Sequence, residues 1–405
     1  MDENAKFAVG IDVGTENVRA VVASLGREGV SIIGYNEGPN AGMRKGVVAN
    51  LTGPGESLDR ALLEVERMSG YEVNSAYVSI NGSHVTSVKA EGMIAVGAED
   101  HEITGEDMAR VEEATVVGRV PANRMILDVL PLSYTLDGQS GIKDPLGMTG
   151  SRLELKASVI SALAPNVLNL KKATEGAKVV AERIVPSVMA AAKAVLTEKQ
   201  VENGVAVVDL GAATTSVAIY EEGDLQYLGV IPVGANNITN DLAIVLEIDT
   251  EIAEDIKKRF VTGLFEESDK DIVIRRGREE VTFMRNDVNR VVKDRLTEIF
   301  EEVRKHLKMA KYDRRLPEGI VLVGGGARMR EIDVFAKEIL EASIKIGAPQ
   351  GLGGVAEAVQ KPEYAAAVGL ALMAATEGKN NSVRGPKNKS KKNTGKSLLS
   401  FLKKF

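Results

Sequence analysis

Two aspartates in segments nearly two hundred residues apart share one local pattern: Phe7-Ala-Val-Gly-Ile-Asp-Val-Gly-Thr15 and Val205-Ala-Val-Val-Asp-Leu-Gly-Ala-Ala-Thr-Thr215. In each, an apolar run meets a carboxylate, one aliphatic residue and then glycine. A carboxylate at the end of a buried strand is costly unless donors or a metal satisfy it. Glycine two residues later permits a tight turn that presents backbone amides to an anion. Together these features suit a duplicated fold gripping one polyphosphate. A third apolar run, Ile320-Val-Leu-Val, opens onto Gly324, Gly325 and Gly326, followed by Ala327 and Arg328. Other chemistries are poorly supplied. The chain has no cysteine, which excludes disulfides, thiolate nucleophiles and Cys-ligated zinc. Its three histidines, His84, His101 and His306, never fall at metal-ligand spacing.

The elements that must position these residues recur in order. Residues 6 to 35 alternate β-rich runs with Gly or charged turns, predicting a meander at Phe7 to Val13, Val18 to Ser24 and Val30 to Tyr35. After Asn203-Gly204 the pattern restarts at Val205 to Leu210, Thr215 to Tyr220 and Asp224 to Pro232. This is a repeat of architecture rather than of sequence. Between the two, Leu58, Ala61, Leu62, Val65 and Met68 mark one face of a helix over Ser57 to Met68, and a strand at Ser75 to Ile80 ends at Asn81-Gly82. Short strands, a helix near Gly105 to Val117 capped by Thr104, and a Gly/Pro-rich stretch predict a small inserted α+β subdomain. A helix, a strand near Ala181 to Val185 and an Ala-rich helix from Pro186 to Leu196 follow. Residues 235 to 310 are expected to be mostly helical, and Pro362 to Met373 forms the last core helix.

A chain of 405 residues is too long for one typical core, so two or more domains are expected. The N-terminus is polar and acidic, with no expected signal peptide, and no apolar run reaches the roughly 20 residues needed to span a bilayer. Residues 377 to 405 hold nine basic residues and one acidic, about +8. The remainder has 42 basic and 56 acidic residues, a net −14. An acidic body thus carries a basic tail, read as a polar linker over 377–395 and a short amphipathic helix over 396–405. In that helix Leu398, Leu399, Phe401, Leu402 and Phe405 share one face, while Lys396, Ser397, Ser400, Lys403 and Lys404 fill the other. The pattern suits docking on an anionic membrane surface. A nucleic-acid-binding or solubilising tail is the alternative.

The paired Asp-x-Gly turns with the triple-glycine turn resemble the actin, hexokinase and heat-shock-chaperone ATPase superfamily. That resemblance implies an α/β, actin-like two-lobed fold with duplicated mixed-sheet domains, binding ATP and Mg2+. It puts Asp12, Gly14, Thr15, Glu16 and Asn17 on the first phosphate hairpin and Asp209, Gly211, Ala212, Ala213, Thr214 and Thr215 on the second. Asp12 and Asp209 would hold Mg2+, commonly through water. Gly324, Gly325, Gly326, Ala327 and Arg328 would lie beside the adenosine, and Glu254 and Lys257 would contact base or ribose.

More closely, the chain is similar to the FtsA family of bacterial cell-division proteins. The most specific stretch runs from Leu130 to Leu155; Ser79 to Val85, Gly42-Met-Arg-Lys-Gly46 and Ile231 to Ala243 are similar too. The resemblance divides the chain into a first-lobe subdomain (1–82, 158–199 and 361–376), an inserted FtsA-type subdomain (83–157), and a second-lobe subdomain (200–234 and 310–360). A peripheral subdomain (235–309) and the tail complete it. It implies a polymerising scaffold with at most weak ATPase activity on the cytoplasmic face of the inner membrane, contacting further copies of itself, anionic lipids and other division proteins. Arg285 and Arg295 match basic positions of the surface that receives the C-terminal peptide of the tubulin-like protein FtsZ; a plain solvated helix face is the alternative there. Two departures stand out. Ala212 and Ala213 replace glycines usual in the second loop, a strained choice if either needs positive φ. Val185 precedes Pro186 where a water-orienting Gln or Glu is frequent, and Val cannot orient water. A type IV pilus inner-membrane scaffold and a sugar kinase or phosphatase of the same superfamily are the rival readings.

Overall fold

The computed structural model describes residues 6–26, 29–97, 101–265, 271–276 and 279–382. Strands Lys6–Val13, Asn17–Gly26 and Gly29–Pro39 form an antiparallel meander. Ser75–Ile80 pairs parallel to the free side of the first strand, and Val180–Pro186 lies parallel beyond it. Val205–Leu210, Thr215–Glu221 and Asp224–Ile231 repeat the meander, with Ile320–Val323 and then Ile344–Ile346 added parallel on the same side. The two lobes thus share one strand order, and the short Gly353–Gly354 strand extends only the first. The first strand of each is a nearly unbroken apolar run because helices cover both sheet faces. Ile11 and Val205 to Val208 are fully buried.

Small residues let the central layers approach closely. The Ala-rich helix, at Ser187–Val195, packs against the last helix, Ala365–Ser382. A Cβ on Gly369 would stand 1.7 Å from the Ala190 carbonyl oxygen, and one on Gly10 would stand 2.2 Å from that of Ala367. Neither position tolerates a side chain. The last helix also corrects an expectation: residues 377–382, read from sequence as the start of the linker, are helical. Glu377 pairs with Arg183 and accepts from the Tyr77 hydroxyl. The remainder of the expected linker and the amphipathic helix over 396–405, with Lys396, Leu398, Leu399, Phe401, Leu402, Lys403, Lys404 and Phe405, lie outside the described residues.

The inserted subdomain is a four-stranded sheet in the order Thr86–Ala95, Arg152–Leu163, Arg124–Leu136, Gln139–Ile142, backed by helix Gly105–Val116. Thr104 caps that helix reciprocally with Asp107, as its sequence signature predicts. The Arg152–Leu163 strand runs on past the expected boundary at 157, paired to Arg124 at its last residue. The insert does not hang free. Ser87 Oγ accepts from the Leu228 amide at 2.8 Å, Lys89 Nζ meets Gln226, and Lys143 Nζ meets Asp224, so the edge strand of the second-lobe sheet is covered. The peripheral region is built from helices Ala235–Val245, Thr250–Phe260 and Arg285–Met309, plus one hairpin, Ile272–Arg276 with Glu279–Phe283, unforeseen in a stretch read as helical.

Candidate functional site

The two Asp-x-Gly turns face one cleft of about 1030 Å³ between the lobes. They close alike: Gly14 N donates to Asn17 O at 3.0 Å, and Gly211 N donates to Thr214 O at 2.9 Å. An added Cβ would stand 2.8 Å from the Asn17 oxygen and 3.0 Å from the Thr214 oxygen, respectively. Glycine is therefore fixed at both by close approach of backbone rather than by positive φ. Their bracing differs. Asn40 Nδ2 donates to Gly14 O, Asn40 N to Glu16 O, and Gly46 N to Thr15 Oγ1. The second loop instead rests on a helix start, where Ala235 N donates to Gly211 O and Asn236 N to Ala212 O. Gly234 permits this, since a Cβ there would meet the Ala212 oxygen at 2.6 Å.

The aspartates are satisfied by serines that the sequence reading did not single out. Ser79 Oγ donates to Asp12 Oδ1 at 2.7 Å while accepting from the Val13 amide, and Ser187 Oγ reaches Asp209 Oδ2 at 3.2 Å from the opposite lobe. Burial raises the Asp12 pKa, opposed by Arg19 and the Ser79 hydrogen bond. Asp209 is pushed up to about 6, first by burial and then by the negative charge of Asp12. Two half-buried carboxylates that resist joint ionisation are a fitting place for a cation. No group of three potential metal-ligating side chains occurs among the described residues, so water or an anionic ligand would complete the shell.

The triple-glycine turn lies against the second aspartate. Gly324 has φ +86, and a Cβ on it would stand 2.4 Å from Asp209 Oδ1; one on Gly326 would meet the Leu210 side chain at 2.4 Å, whereas Gly325 is open. Arg328 pairs with buried Glu363 at 3.0 Å. Across the cleft, Glu254 Oε2 accepts from Thr239 Oγ1 at 2.5 Å and from Lys257 Nζ at 2.6 Å. Burial would raise the Glu254 pKa, but those two partners hold it below the ordinary range. A further hydrogen bond joins the lobes over the cleft, from Asn236 Nδ2 to Glu16 Oε1 at 2.6 Å.

Asp12, Gly14 to Asn17, Asp209, Gly211, Ala212, Thr214, Glu254, Lys257, Gly324 to Gly326 and Arg328 therefore all line the cleft. Ala213, Thr215 and Ala327 do not. Thr215 is fully buried with its hydroxyl donating to Val233 O, and Ala327 packs in the second-lobe core. Neither Ala212 nor Ala213 has positive φ, so alanine is unstrained at both. Val185 is a core residue of its strand; from the helix that follows, Ser187 and Ala191 reach the cleft. Arg285 and Arg295 are not among the cleft-lining residues and share one long helix. Arg295 is held by Asp241 at 2.6 Å and by Glu298 at 2.5 Å, rather than standing as a free surface cation.

A duplicated pair of mixed sheets closing a cleft with two Asp-x-Gly turns defines the class: an actin-like protein of the two-lobed ATPase fold. Solved neighbours agree on the fold. The PilM–PilN type IV pilus biogenesis complex superposes with TM-score 0.67 at 18% identity over 91% of this chain and 98% of that one. MreB5 of Spiroplasma citri bound to ADP gives 0.54 at 15% identity over 94% and 99%. Family models match "Cell division protein FtsA" over residues 206–369 and "SHS2 domain inserted in FTSA" over 82–161. The cell division protein FtsA of Pseudomonas aeruginosa is 33% identical over 95% of this chain and 93% of its own. The chain belongs to the FtsA family of cell-division proteins.

Proposed function

We propose that the chain binds ATP with Mg2+ in this cleft and serves as a polymerising scaffold on the inner face of the cytoplasmic membrane, tethering FtsZ filaments and recruiting later division proteins. The observation that carries the reading is the pair of aspartates, Asp12 and Asp209, aimed from duplicated turns into one interlobe cleft in a member of the FtsA family. The nucleotide-bound MreB5 structure, of the same fold, supports the ligand class. Bound Mg2+ would neutralise phosphate charge. Asp12 and Asp209 would hold it, with Ser79 and Ser187 fixing their carboxylates. The two turns would present amides to phosphate oxygens, while Glu254 and Lys257 would meet the base or ribose. Scaffolding is favoured over turnover because the helix entering the cleft near Asp209 offers it Ser187 and Ala191, neither of them a base for water. ATP would then act by favouring the closed lobes, to the extent that it binds them more tightly than the open ones.

Membrane attachment is assigned to Lys396 to Phe405, and no helix among the described residues is long and apolar enough to cross a membrane. A single short helix anchors weakly, so many copies joined in a filament would make attachment stable. Arg285 is retained as a contact for the FtsZ peptide; Arg295 would take part only by exchanging its acidic partners. One experiment covers the core of the reading: sedimentation with anionic liposomes, with and without ATP and Mg2+, for the full chain and a chain ending at residue 395. The full chain is expected to bind ATP without rapid phosphate release and to sediment. The shortened chain should bind ATP equally and stay in solution. Sedimentation of the shortened chain would remove the anchor, and fast phosphate release would replace the scaffold with a hydrolase.

A further inference from the structure

The inserted subdomain is carried by one lobe and seated on the other. At its base Arg124 Nη2 donates to His84 O at 2.6 Å, to Thr86 Oγ1 at 2.7 Å and to Ser161 O at 3.0 Å, and Ile160 and Ala162 continue into the first-lobe core. The insert is thus tied to the first lobe. Its seat is strand Asp224–Ile231, the outer strand of the second-lobe sheet. Ser87 Oγ accepts from Leu228 N at 2.8 Å and donates to Leu228 O at 3.2 Å. Lys89 Nζ donates to Gln226 Oε1 at 3.0 Å, and Lys143 Nζ donates to Asp224 Oδ2 at 2.5 Å and to Glu222 O at 3.1 Å. One serine therefore closes both backbone groups of Leu228 that an edge strand would leave to water.

The same strand leads directly to the second Asp-x-Gly turn. Beyond Ile231 the chain passes Val233, whose carbonyl accepts from Thr215 Oγ1, and Gly234, to the helix start where Ala235 and Asn236 brace that turn. Asn236 also donates across the cleft to Glu16, and Ser187 reaches Asp209 from the first lobe. The bridges over the cleft and the seat of the insert are therefore made in one arrangement of the lobes, at opposite ends of one short strand. That strand is paired along its length to Thr215–Glu221, so a displacement at one end is carried to the other. Beneath the polar contacts, Leu225, Leu228 and Val230 are buried in the core that also holds Val85 and Ile160. A packed seat of this kind shifts as a unit rather than by gradual deformation.

We infer that the seat of the insert on strand Asp224–Ile231 couples the cleft to the insert: it is made while the lobes are bridged and breaks when they part, so nucleotide in the cleft and the position of the insert bias each other. The inference rests on the nucleotide reading above and deepens it, since it names a regulator of the same site. Such coupling is reciprocal, so ATP tightens the seat by the factor by which the seat tightens ATP.

The test uses the full chain and two variants at Lys143, a half-exposed residue outside the cleft. Lys143→Glu sets like charges against Asp224, and Lys143→Glu with Asp224→Lys restores the pair with its signs exchanged. Hydrogen exchange of the Leu228 amide reads the seat, because that N–H points to Ser87, and calorimetric titration with Mg2+ reads ATP binding. In the parent, ATP is expected to slow Leu228 exchange about fivefold or more beyond any slowing along Thr215–Glu221. Lys143→Glu should speed that exchange and lose about fivefold in ATP affinity, and the exchanged pair should recover most of both. Leu228 exchange unaltered in the ATP-loaded parent would overturn the coupling while leaving the nucleotide site intact. So would faster exchange in Lys143→Glu at unaltered ATP affinity. Where Lys143→Glu does not fold, or leaves Leu228 exchange as it was, the parent with and without ATP decides. Absence of ATP binding by the parent would remove the nucleotide reading and the coupling together.

Discussion

The two Asp-x-Gly turns share a backbone hydrogen bond, a glycine fixed by close approach and a place at the end of a buried strand, yet their supports differ in kind. The first is braced within its own lobe by Asn40, Gly46 and Ser79. The second is braced by the helix start at Ala235, abutted by Gly324, and reached by Ser187 from the other lobe. Asp209 is therefore the aspartate held from the other lobe, whereas the first turn meets that lobe through Glu16 and Asn236. It is also the carboxylate pushed up to about 6, in part by the charge of Asp12. The duplicated device thus has one carboxylate satisfied from within its own lobe and one satisfied from the other.

The hardest blow to the pairing is removal of either carboxylate. Asp12→Asn and Asp209→Asn should each weaken Mg2+-dependent ATP binding about a hundredfold or more, as loss of one member of a buried charged constellation does; titration with and without Mg2+ checks it. The ligand-free behaviour sharpens the comparison. The Asp209 pKa rises from 3.8 to about 6 on folding, so its stabilising contribution is complete below about pH 4 and lost as pH rises through 6. Ligand-free Asp209→Asn should then be more stable than the parent at pH 7.5, on the order of 1–2 kcal/mol, and near parity at pH 4, measured by urea unfolding. A parent whose stability rises between pH 4 and 6 more steeply than that of the variant would contradict the assignment.

Next in size is the turn that abuts only the second aspartate. Gly324→Ala places a methyl 2.4 Å from Asp209 Oδ1 at φ +86 and should cost roughly 2–3 kcal/mol of stability together with nucleotide binding. Gly325→Ala, beside it in open space, should be within about 0.5 kcal/mol of the parent. Similar behaviour of the two would deny that Gly324 is constrained by the carboxylate. The smallest effect is expected at the residues that look most anomalous in sequence. Because neither Ala212 nor Ala213 has positive φ, restoring Gly at both should leave ATP affinity within about threefold and lower stability by about 1 kcal/mol through backbone entropy. A large gain in affinity would show that the methyls obstruct the phosphates.

Much of the cleft is legible in the chain because local rules govern it. A buried strand ending in Asp and a nearby Gly admits few structures, and two such segments at matching places in a repeated meander predict the duplicated sheets that form. The Thr104 cap and the Ala-rich helix follow from equally local chemistry. Errors arise where orientation depends on what lies across a sheet or helix. Thr215 looks like the hydroxyl of a phosphate loop, but as the strand partner of Ile231 it turns to Val233. Arg295 looks like a surface cation until the neighbouring helix brings Asp241 to it. The hairpin at Ile272 to Phe283 hides in a charged stretch, since a two-stranded element carries too short a period to stand out from its helical surroundings.

By itself the sequence determined the repeated strands, the two aspartates with their turns, the inserted subdomain and the family, because these depend on apolar periodicity and on residues adjacent along the chain. Tertiary structure alone decided that Ser79 and Ser187 satisfy the aspartates and that the insert seals the second-lobe edge. Those relations join residues tens to hundreds of positions apart. Their energies come from burial and from charge at short range, quantities that exist only once the lobes have closed on each other.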